Sequence, residues 1–132
     1  MARPNQNNTP KHVKGLLSVI VPAYNCPTIF TDLNTICHYL NQLNKPWEVI
    51  CVVDGLKSKK DQTFEKAKKA RSQFVKVYTY PENKGKGYAI RFGMARSMGG
   101  TVAFIDAGGD LNAKGIGLAL EHMRWYNADI VV

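Results

Sequence analysis

The run Leu16-Leu17-Ser18-Val19-Ile20-Val21, followed by Pro22-Ala23-Tyr24-Asn25, decides the fold class. Its apolar residues are continuous rather than alternating, the pattern of a strand buried on both faces, and such strands belong to parallel sheets covered by helices. Outward from it, Ile29, Leu33, Ile36, Leu40 and Leu43 recur at intervals of four and three, so they share one face of a helix. Trp47–Val53 (WEVICVV) predicts a second strand, Lys59–Ser72 a second helix and Phe74–Tyr78 (FVKVY) a third strand. A third helix is expected from about Gly87 to Met98 and a fourth strand over Thr101–Ile105 (TVAFI). Ile116, Leu120 and Met123 mark the inner face of a fourth helix, and Ala128–Val132 (ADIVV) reads as the start of a fifth strand. Strands and helices alternating in this order predict a Rossmann-like α/β domain with a mostly parallel sheet and helices on both faces.

At 132 residues the chain has room for one domain with one core, and 45% apolar residues is the composition of a globular protein. Residues 1–15 (MARPNQNNTPKHVKG) are polar, basic and rich in Asn and Pro, so they read as a disordered arm, with the domain spanning 16–132. The net charge of +8 suits nucleic acid, an anionic membrane surface or a phosphate-bearing ligand. In the lysine-rich second helix, Phe64, Ala67 and Phe74 form an inner stripe. Lys59, Lys60, Lys66, Lys68, Lys69 and Arg71 face outward, and Glu65 is spaced to pair with Lys69. That stretch lacks interleaved aromatics, and no nucleic-acid partner is expected. Cys26, Cys37 and Cys51 are odd in number and show no CxxC spacing, which fits reduced thiols. No stretch approaches the roughly 20 apolar residues of a bilayer span, and the first residues lack the apolar middle of a signal peptide. The expected location is cytoplasmic, including the cytoplasmic face of a membrane.

In an open parallel sheet a ligand binds beyond the carboxyl ends of the strands, so the residues following the strands should share a crevice. Tyr24 there can lie flat against a base or can cover the strand end. Asp54 can accept a hydrogen bond from a base edge or ribose, or can cap the turn before Gly55. The loop Asn83-Lys84-Gly85-Lys86-Gly87 opens a helix, where free backbone N–H groups, the helix dipole, Lys84 and Lys86 would favour a diphosphate; otherwise it is an ordinary turn. It matches neither GxGxxG nor a P-loop. Asp106, with Asp110 four residues on, offers hard oxygen ligands for Mg²⁺ or Mn²⁺ beside a diphosphate, or else caps the next helix.

Taken in order, LSVIVPAYN, EVICVVDG, ENKGKGYAIRFGMA, TVAFIDAGGDL and ADIVV resemble the family 2 glycosyltransferases of GT-A fold. Within that family they are nearest the dolichyl-phosphate mannose or glucose synthases and their bacterial polyprenyl-phosphate relatives. The resemblance covers almost all of residues 16–132 and implies the nucleotide-sugar-binding half, ending before the acceptor-binding half. It implies that Pro22, Tyr24, Val52 and Asp54 surround the base and ribose, and that Asp106, with Ile105 and Ala107 beside it, is the first acid of a DxD-type motif holding a divalent metal and the sugar diphosphate. The partners implied are a UDP- or GDP-sugar and a hydroxyl or lipid-phosphate acceptor at a membrane surface. The implied chemistry is displacement at the anomeric carbon with inversion. No catalytic base is identified, and pairing of strand edges with a second copy stays open.

The chain departs from the family at three positions of this crevice. Cys26 stands where the synthases usually carry Glu after the Tyr-Asn pair. Val53 replaces the first of two acids before Gly55, and Gly108 falls on the second acid of the DxD motif. Asp110 is the residue placed to compensate for Gly108. These departures support a second class of function, a non-catalytic nucleotide-binding or interaction module. A nucleotidyltransferase is disfavoured because no glycine-rich signature follows Val21.

Overall fold

A computed structural model describes residues 12–108 and 114–126. In chain order the elements are β1 (Val13–Ala23), α1 (Ile29–Asn41), β2 (Trp47–Val53), α2 (Thr63–Lys68), β3 (Val75–Thr79), α3 (Lys86–Ala95), β4 (Gly99–Phe104) and α4 (Lys114–Tyr126). The strands form one sheet in the order β3-β2-β1-β4, and every pairing in it is parallel.

The continuous apolar run of β1 is divided between two cores. Leu17, Val19 and Val21 pack with Val49, Cys51 and Val53 of β2 against Ile29, Leu33, Ile36 and Leu40 of α1, Ala67 of α2 and Ile116 of α4. On the other face Ile20, Ile50 and Val52 pack against Ala89 of α3, with Phe92, Tyr78 and Tyr80 around them. Each fully enclosed Ile, Leu or Val contributes about 1.5–3 kcal/mol, so a central strand buried on both sides anchors the domain. Gly93 is where α3 comes closest to the sheet: a Cβ there would lie 2.6 Å from Ile20 Cγ2. The α/β class with helices on both faces is as expected.

Several boundaries differ from the sequence expectation. β1 begins at Val13 rather than Leu16, because Val13 pairs with Gly99 of β4 across a register shift that contains Gly15 at φ +86°. Residues 13–15, assigned to the arm, therefore belong to the sheet. Helix α2 is confined to Thr63–Lys68. The Asp61 carboxylate accepts from the Lys57 and Thr63 N–H groups, folding the preceding residues into a loop, so Lys59 and Lys60 are not helical. Downstream, Ser72 and Val75 exchange backbone hydrogen bonds in a tight turn. Glu65 pairs with Lys68 rather than Lys69, and Phe74 lies exposed beside the Trp47 ring rather than on an inner stripe. α3 ends at Ala95, and β4 starts at Gly99, whose N–H donates to Ser18 Oγ. The fifth strand expected at 128–132 lies outside the described residues.

The chain order runs outward from β1 through β2 to β3, then returns to the far side of β1 to add β4. The crossover reverses direction between β1 and β4, and such a switch point opens a crevice at the carboxyl ends of the strands.

Candidate functional site

Four segments meet at that end of the sheet: the turn after β1, Asp54-Gly55 after β2, the loop before α3, and Asp106 to Gly108 after β4. Strand geometry explains why they converge, because parallel strands in register finish at the same level. Ala23 faces Val53, Asp54 N donates to Ala23 O, and Ile105 N donates to Ile20 O.

Asp54 is 4% exposed, and its carboxylate accepts four hydrogen bonds. Oδ1 takes the Tyr80 hydroxyl at 2.6 Å and the Lys84 N–H at 2.8 Å; Oδ2 takes the Asn83 side-chain amide at 2.8 Å and the Gly85 N–H at 2.9 Å. Burial, then the bond to Asp54 and its negative charge, push the Tyr80 phenol above its ordinary pKa, so it stays a donor. Gly55 supports the same loop from below: at φ +70°, a Cβ there would lie 2.5 Å from Asn83 N. The expectation of free backbone N–H groups in this loop is corrected at Lys84 and Gly85, whose amides are engaged. A diphosphate is left the first-turn amides of α3 from Lys86 to Tyr88, since Ala89 N makes the first intrahelical bond, to Gly85 O.

Two lysines flank this helix start. Lys84 Nζ sits 4.8 Å from the centre of the Tyr88 ring. Lys86 reaches across the crevice to Asp106, Nζ to Oδ2 at 2.7 Å, with both side chains more than half exposed. Asp106 therefore carries a counter-cation from the chain itself.

Gly108 N donates to Asp32 Oδ2 at 2.8 Å, tying the loop after β4 to the start of α1. The same oxygen accepts from Thr28 Oγ1 at 2.9 Å and from the Cys26 thiol at 3.5 Å. Burial, reinforced by the Asp32 charge against the opposing bonds from Thr28, holds the Cys26 thiol above its ordinary pKa. Gly108 adopts φ +88°, a region that disfavours a side chain, so the backbone suits a glycine at this position. Val53 is fully enclosed in the α1-side core rather than facing the crevice.

Of the residues singled out from sequence, Tyr24, Lys84, Lys86 and Asp106 are exposed at the crevice, and Ile105 and Ala107 are half-buried beside Asp106. Pro22 and Val52 are paired neighbours buried in the sheet below it. Asp110 lies outside the described residues. The sequence reading missed Tyr80 and Asp32 and gave Asn83 no role of its own. Asn83 stood inside the quoted Asn-Lys-Gly-Lys-Gly loop, whereas Tyr80 and Asp32 carried no spacing signal.

The sequence and fold have counterparts among known proteins. The sequence profile of Glycosyl transferase family 2 matches residues 18–132. The chain belongs to that family. It is 38% identical over 106 residues to human dolichyl-phosphate beta-glucosyltransferase and 39% over 103 residues to the enzyme of that name from Drosophila melanogaster. Each match covers 70% of this chain and 31% of the relative. The chain thus spans about a third of the length of these curated relatives. The crystal structure of S. aureus TarS superposes with a TM-score of 0.59 at 26% identity, over 86% of this chain and 33% of that one, in agreement with the GT-A type of α/β fold.

Divalent metals are general in this family. Among the described residues no three His, Cys, Asp or Glu side chains come together as a metal cage. Among the described residues Asp106 presents an exposed carboxylate at the crevice, whereas those of Asp54 and Asp32 are taken up by hydrogen bonds from the protein; this fits the mode in which Mg²⁺ is held by one or two carboxylates, water and a ligand's own phosphates. Among the described residues no helix is long and apolar enough to cross a membrane.

Proposed function

We propose that the crevice binds the diphosphate of a UDP- or GDP-sugar, and that the chain forms the donor-binding part of an inverting glycosyltransferase whose acceptor is a polyprenyl phosphate. The observation that carries this is the meeting of Lys86, on the first turn of α3, with Asp106 at the end of β4, at the switch point of a parallel sheet, with Lys84 two residues earlier over the Tyr88 ring. Two lysines and the first-turn amides of α3 match a diphosphate in charge and geometry. Tyr24, 46% exposed at the end of β1, supplies a flat face for the base. Asp106 is the proposed ligand for Mg²⁺ or Mn²⁺, with Asp110 as a second; a cation there would help neutralise the leaving diphosphate.

The names of the human and fly relatives support a lipid phosphate as acceptor and glucose as the sugar. The oxygen of such an acceptor is already ionised at neutral pH, so it can attack the anomeric carbon without a general base from this chain. The new carbon–oxygen bond forms on the face opposite the breaking bond to the diphosphate, and the nucleoside diphosphate departs toward Lys84 and Lys86. The cytoplasmic face of a membrane is the setting this acceptor favours.

Thermal-shift measurements with UDP, GDP, UDP-glucose and GDP-mannose, with and without Mn²⁺, test the donor reading. A nucleotide at a hundredfold excess over its Kd stabilises the fold by about 2.7 kcal/mol, a rise of several degrees. No rise with any of them at millimolar concentration sinks it. Gly108, where the second acid would stand, favours the alternative of a nucleotide-binding module without transfer. Donor binding without transfer of labelled sugar to polyprenyl phosphate by the full-length protein would select that alternative.

A further inference from the structure

We propose that the loop between β2 and α2, residues 56–62, is a docking surface for an anionic lipid bilayer and turns the mouth of the crevice toward it; the orientation, though not the docking, rests on the lipid-phosphate acceptor reading above. The loop leaves β2 after Val53, at the carboxyl end of the sheet where the crevice opens, so whatever it touches lies beside that opening. Leu56 is 51% exposed, and Lys57, Lys59 and Lys60 are all exposed. A single exposed leucine is ordinary. One set among three lysines combines the two attractions of an anionic bilayer, charge for the headgroups and an apolar side chain for the acyl boundary. The ion pairs among the described residues join Lys68 to Glu65, Lys76 to Glu48 and Lys86 to Asp106, and none involves this loop. Its one carboxylate, Asp61, is taken up by the Lys57 and Thr63 backbone N–H groups.

The display is fixed by the loop's own bonds. Asp61 N donates to Ser58 O and Lys60 N to Ser58 Oγ, which adds to the two bonds of the Asp61 carboxylate. The lysines are therefore presented by a folded turn that loses little further freedom on docking. That turn is anchored to the crevice. Cys26 N donates to Thr63 Oγ1 at 2.9 Å and Lys66 Nζ to Pro27 O at 3.3 Å, joining the start of α2 to the turn after β1. Three residues beyond Pro27, Phe30 on the first turn of α1 is 41% exposed at the same end of the sheet, a second apolar side chain on the rim. A polyanion such as RNA would use the lysines equally; the exposed Leu56 is what favours the bilayer. Lys69 and Arg71, past the far end of α2 and next to the start of β3, lie at the opposite end of the sheet and supply a charge-matched control.

The test is flotation of the 132-residue chain with vesicles of phosphatidylcholine, alone or with phosphatidylglycerol added, at physiological and at raised salt. The proteins compared are the parent, Lys59→Gln/Lys60→Gln, Leu56→Ser and the control Lys69→Gln/Arg71→Gln. All five positions are exposed, so equal melting temperatures are expected. Each lysine near an anionic leaflet contributes about fivefold in affinity, so Lys59→Gln/Lys60→Gln should lose about 25-fold while the control stays near the parent. Leu56→Ser should lose about 3- to 10-fold, since only its exposed half is newly buried. Binding should require phosphatidylglycerol and fall as salt is raised. A parent that ignores anionic vesicles overturns the proposal. So does an equal loss in the control, which would make the attraction one of overall charge. Parent-like binding by Leu56→Ser would leave charge alone and reassign the loop to a polyanion such as RNA. UDP and GDP affinities, measured without vesicles, should be common to all four proteins; a selective fall in Lys59→Gln/Lys60→Gln would place the loop at the donor site instead. A parent that binds neither nucleotide refutes the donor reading while the vesicle result still decides the docking, so the two failures are distinguishable.

Discussion

Replacing Lys86 by Ala should move two affinities in opposite directions. In the free protein Lys86 Nζ lies 2.7 Å from Asp106 Oδ2, in a pair whose side chains are 55% and 62% exposed. Pairs this open are worth about 0–1 kcal/mol. A cation arriving at Asp106 must displace the ammonium group, so removing the lysine should strengthen Mn²⁺ binding without nucleotide by at most about fivefold. With nucleotide present the balance reverses. A charge-assisted bond from lysine to phosphate is worth about 1.5–3 kcal/mol, so UDP or GDP should bind about 10- to 150-fold more weakly. The fold should be unaffected, since Lys86 is exposed on the first turn of α3 and takes no part in either core. Mn²⁺ titration followed by paramagnetic broadening of the Ala107 and Gly108 amides reads the first effect, and calorimetry with nucleotide at saturating Mn²⁺ reads the second. The reasoning fails if nucleotide affinity is unchanged, or if Mn²⁺ binding to the free protein weakens, because the lysine would then be neither a phosphate ligand nor a competitor at Asp106.

Gly93→Ala gains up to about 1 kcal/mol of helix propensity. It also forces a methyl group to within 2.6 Å of Ile20 Cγ2 and 3.2 Å of Val52 Cγ2, both fully buried. Overpacking of about 1–3 kcal/mol should prevail, leaving the variant less stable by up to about 2 kcal/mol after the full propensity gain is subtracted, as read by urea denaturation; a variant more stable than its parent would contradict the close approach of α3. The Tyr80 phenol has its pKa raised above the ordinary 10.0 by burial and by Asp54. The unfolded chain therefore loses that proton first, and stability falls as pH rises past about 10. Tyr80→Phe removes this contribution, so its stability should decline less steeply above pH 10 than that of the parent; equal slopes would count against it. Gly108→Asp places a side chain at φ +88° and a Cβ 3.5 Å from Cys26 Sγ, and should cost about 1–2 kcal/mol in the same denaturation experiment. No measurable loss would show that the loop relaxes.

What was legible in the sequence was whatever depends on local periodicity. The bounds of β2, Trp47–Val53, coincide with the run WEVICVV, and four of the five residues assigned to the face of α1 are fully buried. Such signals are strong because a strand or helix enclosed by a core must be apolar at its enclosed positions unless a polar group there is paired, as Ser18 and Glu48 are with each other. The lysine-rich segment before α2 was misread because lysine is a good helix former, while the determinant, Asp61 binding the amides on either side of it, is a tertiary arrangement of one side chain. The environment of Asp54 was illegible for the same reason. Its partners lie 26 to 31 residues away, joined to it only once β2 and β3 are side by side.

The family departures become intelligible once their contacts are considered together. Cys26 and Gly108 both touch Asp32: the thiol at 3.5 Å, the Gly108 amide at 2.8 Å. An acid at either position would bring a second negative charge against the Asp32 carboxylate in a half-buried space, where like charges repel strongly. A small neutral thiol and a glycine amide avoid that repulsion, and the amide adds a hydrogen bond to a charged acceptor. The two positions are therefore coupled through Asp32 rather than being independent losses, and restoring one acid alone would oppose the charge already there. Val53 is separate, being a core residue beneath α1. On one side of the crevice Asp32 of α1 gathers the bonds from Cys26, Thr28 and Gly108, whereas on the other, from Asp54 to Gly85, the loop before α3 keeps a complete set of bonds. On the donor-site reading proposed above, function therefore rests on the half of the crevice around Lys84 and Lys86.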